Sequence, residues 1–300
     1  MGGREAHVLL GLVFMMVGLW HLYNQIKIHS THKMTFKSLV WFPTKFSRYL
    51  ELYLILLGCS VFTLIELHLA PFDTDGTFKA NHLHHIEHAC IAIAFSLHAL
   101  FAILLDKFGP KKPESSKTDL GHFLAAMAFT QELLLFHFHT TDHVGLEGQY
   151  HWLLQDLVSV CLVFTLLSIW LPKSFMVSYI RSLGVIFQGL WLIVMGYMLW
   201  TPSFAPKGCA LHKDHFGRDV IKCDDHESLH RAKALVNILF SWFFIGMMCF
   251  GVSFYWCVNR VHEVNYELID DEVGLEEVCH SKDMQGFLHV KGVLPFDLEG

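Results

Sequence analysis

Residues 178–200 read SYIRSLGVIFQGLWLIVMGYMLW, and this stretch decides the fold. An α-helix needs about 20 mostly apolar residues to cross a bilayer, and this stretch meets that length. Six more stretches qualify or nearly qualify, at residues 7–25, 49–69, 84–106, 120–139, 151–171 and 232–258. Of these, 84–106 and 120–139 carry the most polar residues. The sequence therefore predicts an all-α integral membrane protein, a bundle of seven transmembrane helices.

The composition of the chain excludes other broad classes of protein. Only 17% of the 300 residues are charged, whereas a soluble domain has about 25%. The 26 Phe, 8 Trp and 8 Tyr give too much apolar surface for a disordered chain. A formal net charge of −6 argues against nucleic acid as a partner. Membrane lipids are the expected partners.

The charges between the stretches predict the orientation. The loops that follow the first, third and fifth stretches carry most of the basic residues, and the loop after the fourth has no Lys or Arg. Because basic loops stay in the cytoplasm, the N-terminus is predicted outside or in a lumen, and the C-terminus in the cytoplasm. Residues 1–258 then form the transmembrane domain. Residues 259–300 form an acidic, disordered cytoplasmic tail that can bind protein partners, and the membrane is an endomembrane or the plasma membrane.

Histidine is the unusual residue of this chain, because its 22 copies equal the number of Lys and Arg together. Many of these histidines fall beside acids at the outer ends of the predicted helices. The segments are NHLHHIEH at 81–88, ELLLFHFHTTDH at 132–143, EGQYHWLLQD at 147–156 and DDHESLH at 224–230. Four helices therefore bring histidine and acid to the same depth of the membrane.

Helical spacing indicates which residues of this histidine cluster lie on the same helix face. His84 and His88 lie one turn apart on one helix face, and His139 and His143 have the same spacing. Glu132 lies two turns before His139, at a depth where a charged acid costs at least ~2.5 kcal/mol unless it is paired. An acid at such a depth is a functional candidate for that reason.

Neutral imidazoles and a carboxylate suit transition metals, and zinc or copper is expected at this cluster. Glu66, near the outer end of the second stretch, can join it. The predicted metal ligands are His84, His85, His88, Glu132, His139, His143, His151 and His226. Two other interpretations stay open. Clustered histidines titrate between about pH 5 and 8 and can sense acidity or relay protons, and single histidines can simply lie at headgroup depth.

Several functions are compatible with such a site, and the sequence does not decide whether the protein is an enzyme. A metal-dependent hydrolase acting on lipid would use Glu132 or Glu147 as general base, and these are the candidate catalytic residues. A proton or ion transporter would use the titratable groups. A b-type haem carrier needs two axial histidines on facing helices, for which these histidines are crowded. A non-catalytic membrane adaptor is the remaining hypothesis, and a homo-oligomer is compatible with each.

Two cysteines, Cys209 and Cys223, share the loop between the sixth and seventh stretches, which the charges place outside. An oxidising compartment permits them to form a disulfide. Two free thiols in a flexible loop are the alternative.

The chain resembles the transmembrane protein 45 family, seven-span proteins of unknown function that are also defined as domain of unknown function 716. The matching segments are GLWHLYN at 18–24, RYLELYLILLG at 48–58, NHLHHIEH at 81–88, QELLLFHFHTTDHVGLEGQYHWLLQ at 131–155, PKSF at 172–175, FQGLW at 187–191, PKGC at 206–209 and LHRAKALVNILFSW at 229–242. The resemblance covers about residues 1–258 and is greatest to the plant branch. It implies the seven-span fold but no reaction. The positions that it carries over are His85, Glu132, His139, His143, Glu147, His151, Cys209 and Cys223.

Overall fold

The computed structural model describes residues 3–31, 33–70, 76, 82–109, 114–142, 145–213 and 219–290. Within these ranges, side chains are described except at 33, 114–115, 139–142 and 263–290. The seven helices are α1 Arg4–Thr31, α2 Leu50–His68, α3 Leu83–Phe108, α4 Glu114–Asp142, α5 Leu146–Trp170, α6 Phe175–Trp200 and α7 His226–Val290. The predicted helical architecture is confirmed.

One short β-hairpin interrupts the helical chain between α6 and α7. Its strands are β1 Cys209–Lys213 and β2 Asp219–Cys223, which pair antiparallel with Cys209 opposite Cys223. A 3₁₀ turn at Pro202–Phe204 precedes the hairpin, and a second one at Lys33–Thr35 follows α1. The hairpin falls in a loop for which the sequence predicted no regular structure.

Six helices in the described part of the chain are long and apolar enough to cross a membrane, namely α1, α2, α3, α5, α6 and residues His226–His262 of α7. These helices fit a multi-pass membrane protein. Helix α4 has the length but not the composition, because it begins with ESSKTD and carries Gln131 and Glu132 within it. The seventh span and the predicted orientation stay predictions.

Helix α7 extends beyond the predicted domain boundary at residue 258, since its backbone continues to Val290. Residues 291–300 lie outside the described part. The prediction that 259–300 form a disordered cytoplasmic tail stays a prediction.

The first helix packs against the sixth through glycine. A Cβ on Gly11 of α1 or on Gly189 of α6 would lie 2.5 Å from the carbonyl oxygen of the other. Farther along the same pair, a Cβ on Gly18 would lie 2.7 Å from the backbone nitrogen of Ile186. Backbones can approach this closely within a membrane only where side chains are missing. This contact places α6 beside the start of the chain.

The most buried helices are α5 and α6, and the core lies between them. Trp191, Leu154 and Met195 are fully buried there. Helix α2 has a different character, because its only buried residues are Leu52 and two acids, Glu51 and Glu66. Polar contacts therefore hold α2 in place near both of its ends.

We call one end of the bundle the histidine end. It is formed by the starts of α1, α3, α5 and α7 and by the ends of α2, α4 and α6. The end with the opposite helix termini is the opposite end.

Candidate functional site

At the histidine end, a buried acid of α2 joins two histidines of α3. The carboxylate oxygen Oε2 of Glu66, which is 0% exposed, accepts a hydrogen bond of 2.6 Å from Nδ1 of His85. Nδ1 of His88 lies 3.7 Å from the same oxygen. The structure thus brings together two of the predicted ligands and the acid that the sequence placed nearby.

The histidines at the start of α3 form one group of imidazole rings. The ring centroids of His84 and His85 are 4.0 Å apart, and those of His82 and His85 are 5.7 Å apart. The ring of His88 lies 6.0 Å from that of His84, at nearly a right angle. The predicted cluster in NHLHHIEH therefore exists as a group of neighbouring rings.

A second group of rings joins α1, α5 and α6 at the same end. The ring of His7 lies 4.6 Å from that of Trp200 and 6.3 Å from that of His151. His7 is also within electrostatic range of His88 and Glu147, so the two groups adjoin. His7 was not among the predicted ligands, because no neighbouring residues in the sequence indicate that it is part of a site. The close packing of α1 on α6 is what brings it there.

Three of these imidazoles share one hydrogen-bonding pattern. Nδ1 of His85 donates to Glu66, Nδ1 of His151 donates to the carbonyl of Glu147 at 2.9 Å, and Nδ1 of His7 donates to the carbonyl of Gly3 at 3.1 Å. A neutral imidazole that donates from Nδ1 carries its lone pair on Nε2. In their neutral form, all three rings therefore carry the proton on Nδ1.

Two other predicted ligands, Glu132 and His226, have different surroundings. Glu132 is buried in the core, where its Oε1 accepts a hydrogen bond from Gln188. Gln188 precedes Trp200 by 12 residues on α6, which is roughly 18 Å along the helix axis. His226 is exposed at the first turn of α7. The side chain of His139 and the whole of His143 lie outside the described residues.

No three His, Cys, Asp or Glu side chains of the described residues are placed so that they could hold a metal ion. A complete ligand set for zinc or copper is thus not assembled from the described side chains alone.

The two loop cysteines are joined in the structure by a disulfide, Cys209–Cys223. This bond closes the open end of the β-hairpin, since the two residues are partners in its register. The hairpin lies next to the histidine end, between α6 and α7.

A polar cluster at the opposite end was not predicted. Arg181 of α6 is buried, and its guanidinium donates to Nδ1 of His122 at 2.9 Å, to Ser168 at 3.2 Å and to the carbonyl of Leu39 at 3.0 Å. The backbone nitrogen of Ser38 donates to the carbonyl of Pro172 at 2.7 Å. These bonds satisfy the backbone of a non-helical segment within the bundle, which membrane depth requires.

Acidic side chains attach α2 to its neighbours at the opposite end. Glu51 accepts hydrogen bonds from His21 at 2.6 Å, from Trp20 at 2.9 Å and from the backbone of Phe42 at 2.9 Å. Near it, the Asp106 carboxylate accepts bonds from Arg48 and Tyr49. The hydrogen bond to Asp106 raises the pKa of Tyr49 and also that of Arg48. The contacts of Arg181 and Glu51 join different segments of the chain to one another, so their role is structural.

Two comparisons with known proteins bear on this fold. No curated protein matches the chain significantly. A family model matches residues 118–256, a segment that runs from α4 to the apolar part of α7 and includes Glu132, His151 and the disulfide. The match is consistent with the family that the sequence resembles, while the plant branch stays a prediction. Residues 118–256 of the chain match DUF716, a family of unknown function.

Proposed function

We propose that this multi-pass membrane protein binds a transition-metal ion, zinc or copper, at the histidine end of its bundle. One observation carries the proposal: His7, His85 and His151, from three different helices, each have Nδ1 bound to an oxygen of the protein. Metal-binding histidines characteristically donate their second ring nitrogen to a carboxylate or a backbone carbonyl. That bond orients the ring and leaves the lone pair on the nitrogen that binds the metal.

In this proposal the ion binds Nε2 atoms of histidines from these two groups of rings, with His84 and His88 of α3 beside them. No three described side chains are placed to hold a metal together, so further ligands complete the set. His139 and His143, which are four residues apart in the sequence, supply the remaining ligands in this proposal. Imidazole nitrogen suits both zinc and copper, so the donor type does not separate the two metals. Glu132 is left out of the proposed set because it is buried in the core beside Gln188, and His226 is left out because it is exposed at the first turn of α7.

The carboxylate of Glu66 orients a ligand rather than binding the ion in this proposal. Its Oε2 is hydrogen-bonded to His85 at 2.6 Å and is 3.7 Å from Nδ1 of His88. An acceptor of this kind raises the basicity of the imidazole that it holds. Glu66 is fully buried on α2, so the orientation that it imposes on His85 is fixed by helix packing.

A lipid hydrolase is the second candidate, favoured by the position of Glu147. This acid lies at the first turn of α5, within electrostatic range of His7 and one turn from His151. A carboxylate beside a metal-bound water can act as general base. In this candidate Glu147 has that role, and Glu132 does not, because it is hydrogen-bonded to Gln188 in the core.

Metal analysis of the purified full-length protein tests the proposal. We expect about one zinc or copper ion per chain in the wild type and loss of that ion in a His85→Ala/His151→Ala double variant. The matched control is His226→Ala, which removes a sequence-predicted ligand that is exposed on α7. Absence of zinc and copper from the wild type contradicts the proposal. So does full metal content in a double variant that elutes and melts like the wild type.

A further inference from the structure

A buried acid and a buried amide face each other in the core of the bundle. Glu132 of α4 is 1% exposed and Gln188 of α6 is 0% exposed. Nε2 of Gln188 donates to Oε1 of Glu132 across 2.5 Å. Neither residue belongs to the proposed metal site, and the amide is the hydrogen-bond partner of the carboxyl in the described part of the chain.

The second oxygen of each group has no partner among the described atoms. These oxygens are Oε2 of Glu132 and Oε1 of Gln188, and both are buried. An unpartnered buried acceptor costs about 1–3 kcal/mol, and a charged one costs more. Two such atoms on two residues that already share a hydrogen bond call for one common explanation.

Among the described residues, no positive charge lies close enough to hold Glu132 as a carboxylate. On α5, Cys161 lies within electrostatic range, and Gln155 donates to the carbonyl of Phe136. Arg181 on α6, which also acts on Cys161, uses its guanidinium for His122, Ser168 and Leu39. An ionised acid at this depth would therefore be unpaired.

We infer that Glu132 is a proton-binding site, and that its proton is shared with Gln188. The protonated Oε2 donates to Oε1 of Gln188 while Nε2 of Gln188 donates to Oε1 of Glu132. Acid and amide then form a ring of two hydrogen bonds, and both unpartnered oxygens are satisfied at once. The bound species is a proton and the pair is neutral.

A neutral Glu132 also matters for the membrane insertion of α4. By composition alone, α4 is not among the helices that are apolar enough to span a membrane. The free-energy cost of placing an acid inside the hydrocarbon arises from its ionised form. With the proton bound and the amide opposite, α4 carries no net charge at this depth. This inference is independent of the metal site, because it uses none of the proposed ligands.

Infrared difference spectroscopy of the full-length protein tests the inference. We expect the wild type to show a carbonyl band of a protonated carboxylic acid that shifts to lower frequency in D₂O and is missing from Glu132→Gln. The matched control is Glu5→Gln, which replaces a glutamate whose side chain is 75% exposed. That variant is expected to lose carboxylate bands and to keep the acid band.

The stability of Glu132→Gln and the spectrum of Gln188→Leu test the inference further. Glu132→Gln exchanges one neutral group for another of the same shape, so it is expected to fold and to melt within a few degrees of the wild type. A Glu132→Gln chain that cannot be purified folded overturns the inference, and so does a difference spectrum in which only carboxylate bands are lost. In Gln188→Leu, the acid band is expected to persist and to move to higher frequency, because the carboxyl loses its partner.

Discussion

Gly11 of α1 and Gly189 of α6 face each other so closely that a Cβ on either would lie 2.5 Å from the carbonyl oxygen of the other. This contact joins the first helix to the sixth and brings His7 against Trp200. His7 belongs to the histidine end because of this packing.

Replacing Gly189 by Ala is expected to destabilise the protein by about 1–3 kcal/mol, because the added methyl meets backbone atoms that cannot move aside. The melting temperature of the detergent-solubilised chain measures the effect. Gly58→Ala and Gly246→Ala are the matched controls, since a Cβ at either helical position meets nothing within 4 Å. Equal losses in all three variants would contradict the close approach of α1 and α6.

Replacing Glu66 by Gln is expected to weaken metal binding without abolishing it. The amide oxygen is a poorer acceptor for His85 than the carboxylate, and loss of such a supporting group lowers metal affinity by about 10–100-fold. Competition with a chelator of known affinity measures the change.

Glu51→Gln is the matched control for that experiment. Glu51 is also a buried acid of α2 that is hydrogen-bonded to a histidine, His21, but it lies at the opposite end. Its replacement is expected to leave metal affinity unchanged. Equal weakening by both variants would show that the effect passes through α2 as a whole and not through His85.

Asp225 is expected to make the stability of the α7 start depend on pH. Its carboxylate accepts a 2.6 Å hydrogen bond from the backbone nitrogen of Ser228, and this bond lowers the pKa of Asp225. A carboxyl with a lowered folded pKa stabilises the folded state above its ordinary value of about 3.9. That stabilisation is lost as the pH falls through the lowered value.

Hydrogen exchange of the first turn of α7 measures this pH dependence. Asp225→Ala should exchange faster than the wild type at neutral pH and equally fast in strong acid. Asp225→Asn keeps a cap that does not titrate, so its protection should change less with pH. A wild-type first turn that exchanges at the Asp225→Ala rate at pH 7 would contradict the capping role.

The disulfide provides a test of the predicted orientation. In intact cells, a membrane-impermeant thiol reagent applied outside should label Cys209 and Cys223 only after reduction, because the bond consumes both thiols. The Cys209→Ser/Cys223→Ser variant is the control for labelling of other cysteines. Labelling before reduction contradicts the disulfide, and labelling that needs only the plasma membrane to be permeabilised contradicts an outer or lumenal location.

Much of the fold could be predicted because helix formation in a membrane depends on local sequence. The apolar length of residues 178–200 requires a spanning helix wherever its neighbours lie. The run at 81–88 places imidazoles at the start of α3 by spacing alone, and they do group there. The segment between α6 and α7 carries no such local signal, and its hairpin was not predicted.

The partners of the buried acids could not be predicted. The sequence grouped Glu132 with His139 because the two lie on one helix face, but the structure pairs Glu132 with Gln188 of another helix. Likewise, Glu66 is hydrogen-bonded to His85, and Arg181 is buried beside His122. Nothing in the local pattern of any one helix specifies which neighbouring helix faces it.

The sequence alone predicted the apolar helices, the end of the bundle at which histidine collects, and a resemblance to a family. These depend on composition and periodicity, which act within one segment of chain. The tertiary structure alone decided that α1 packs on α6, that His7 reaches His151, and that Glu132 leaves the histidines for an amide. Such choices arise between segments, because a hydrogen bond or a glycine contact forms only where packing brings two surfaces within a few ångströms.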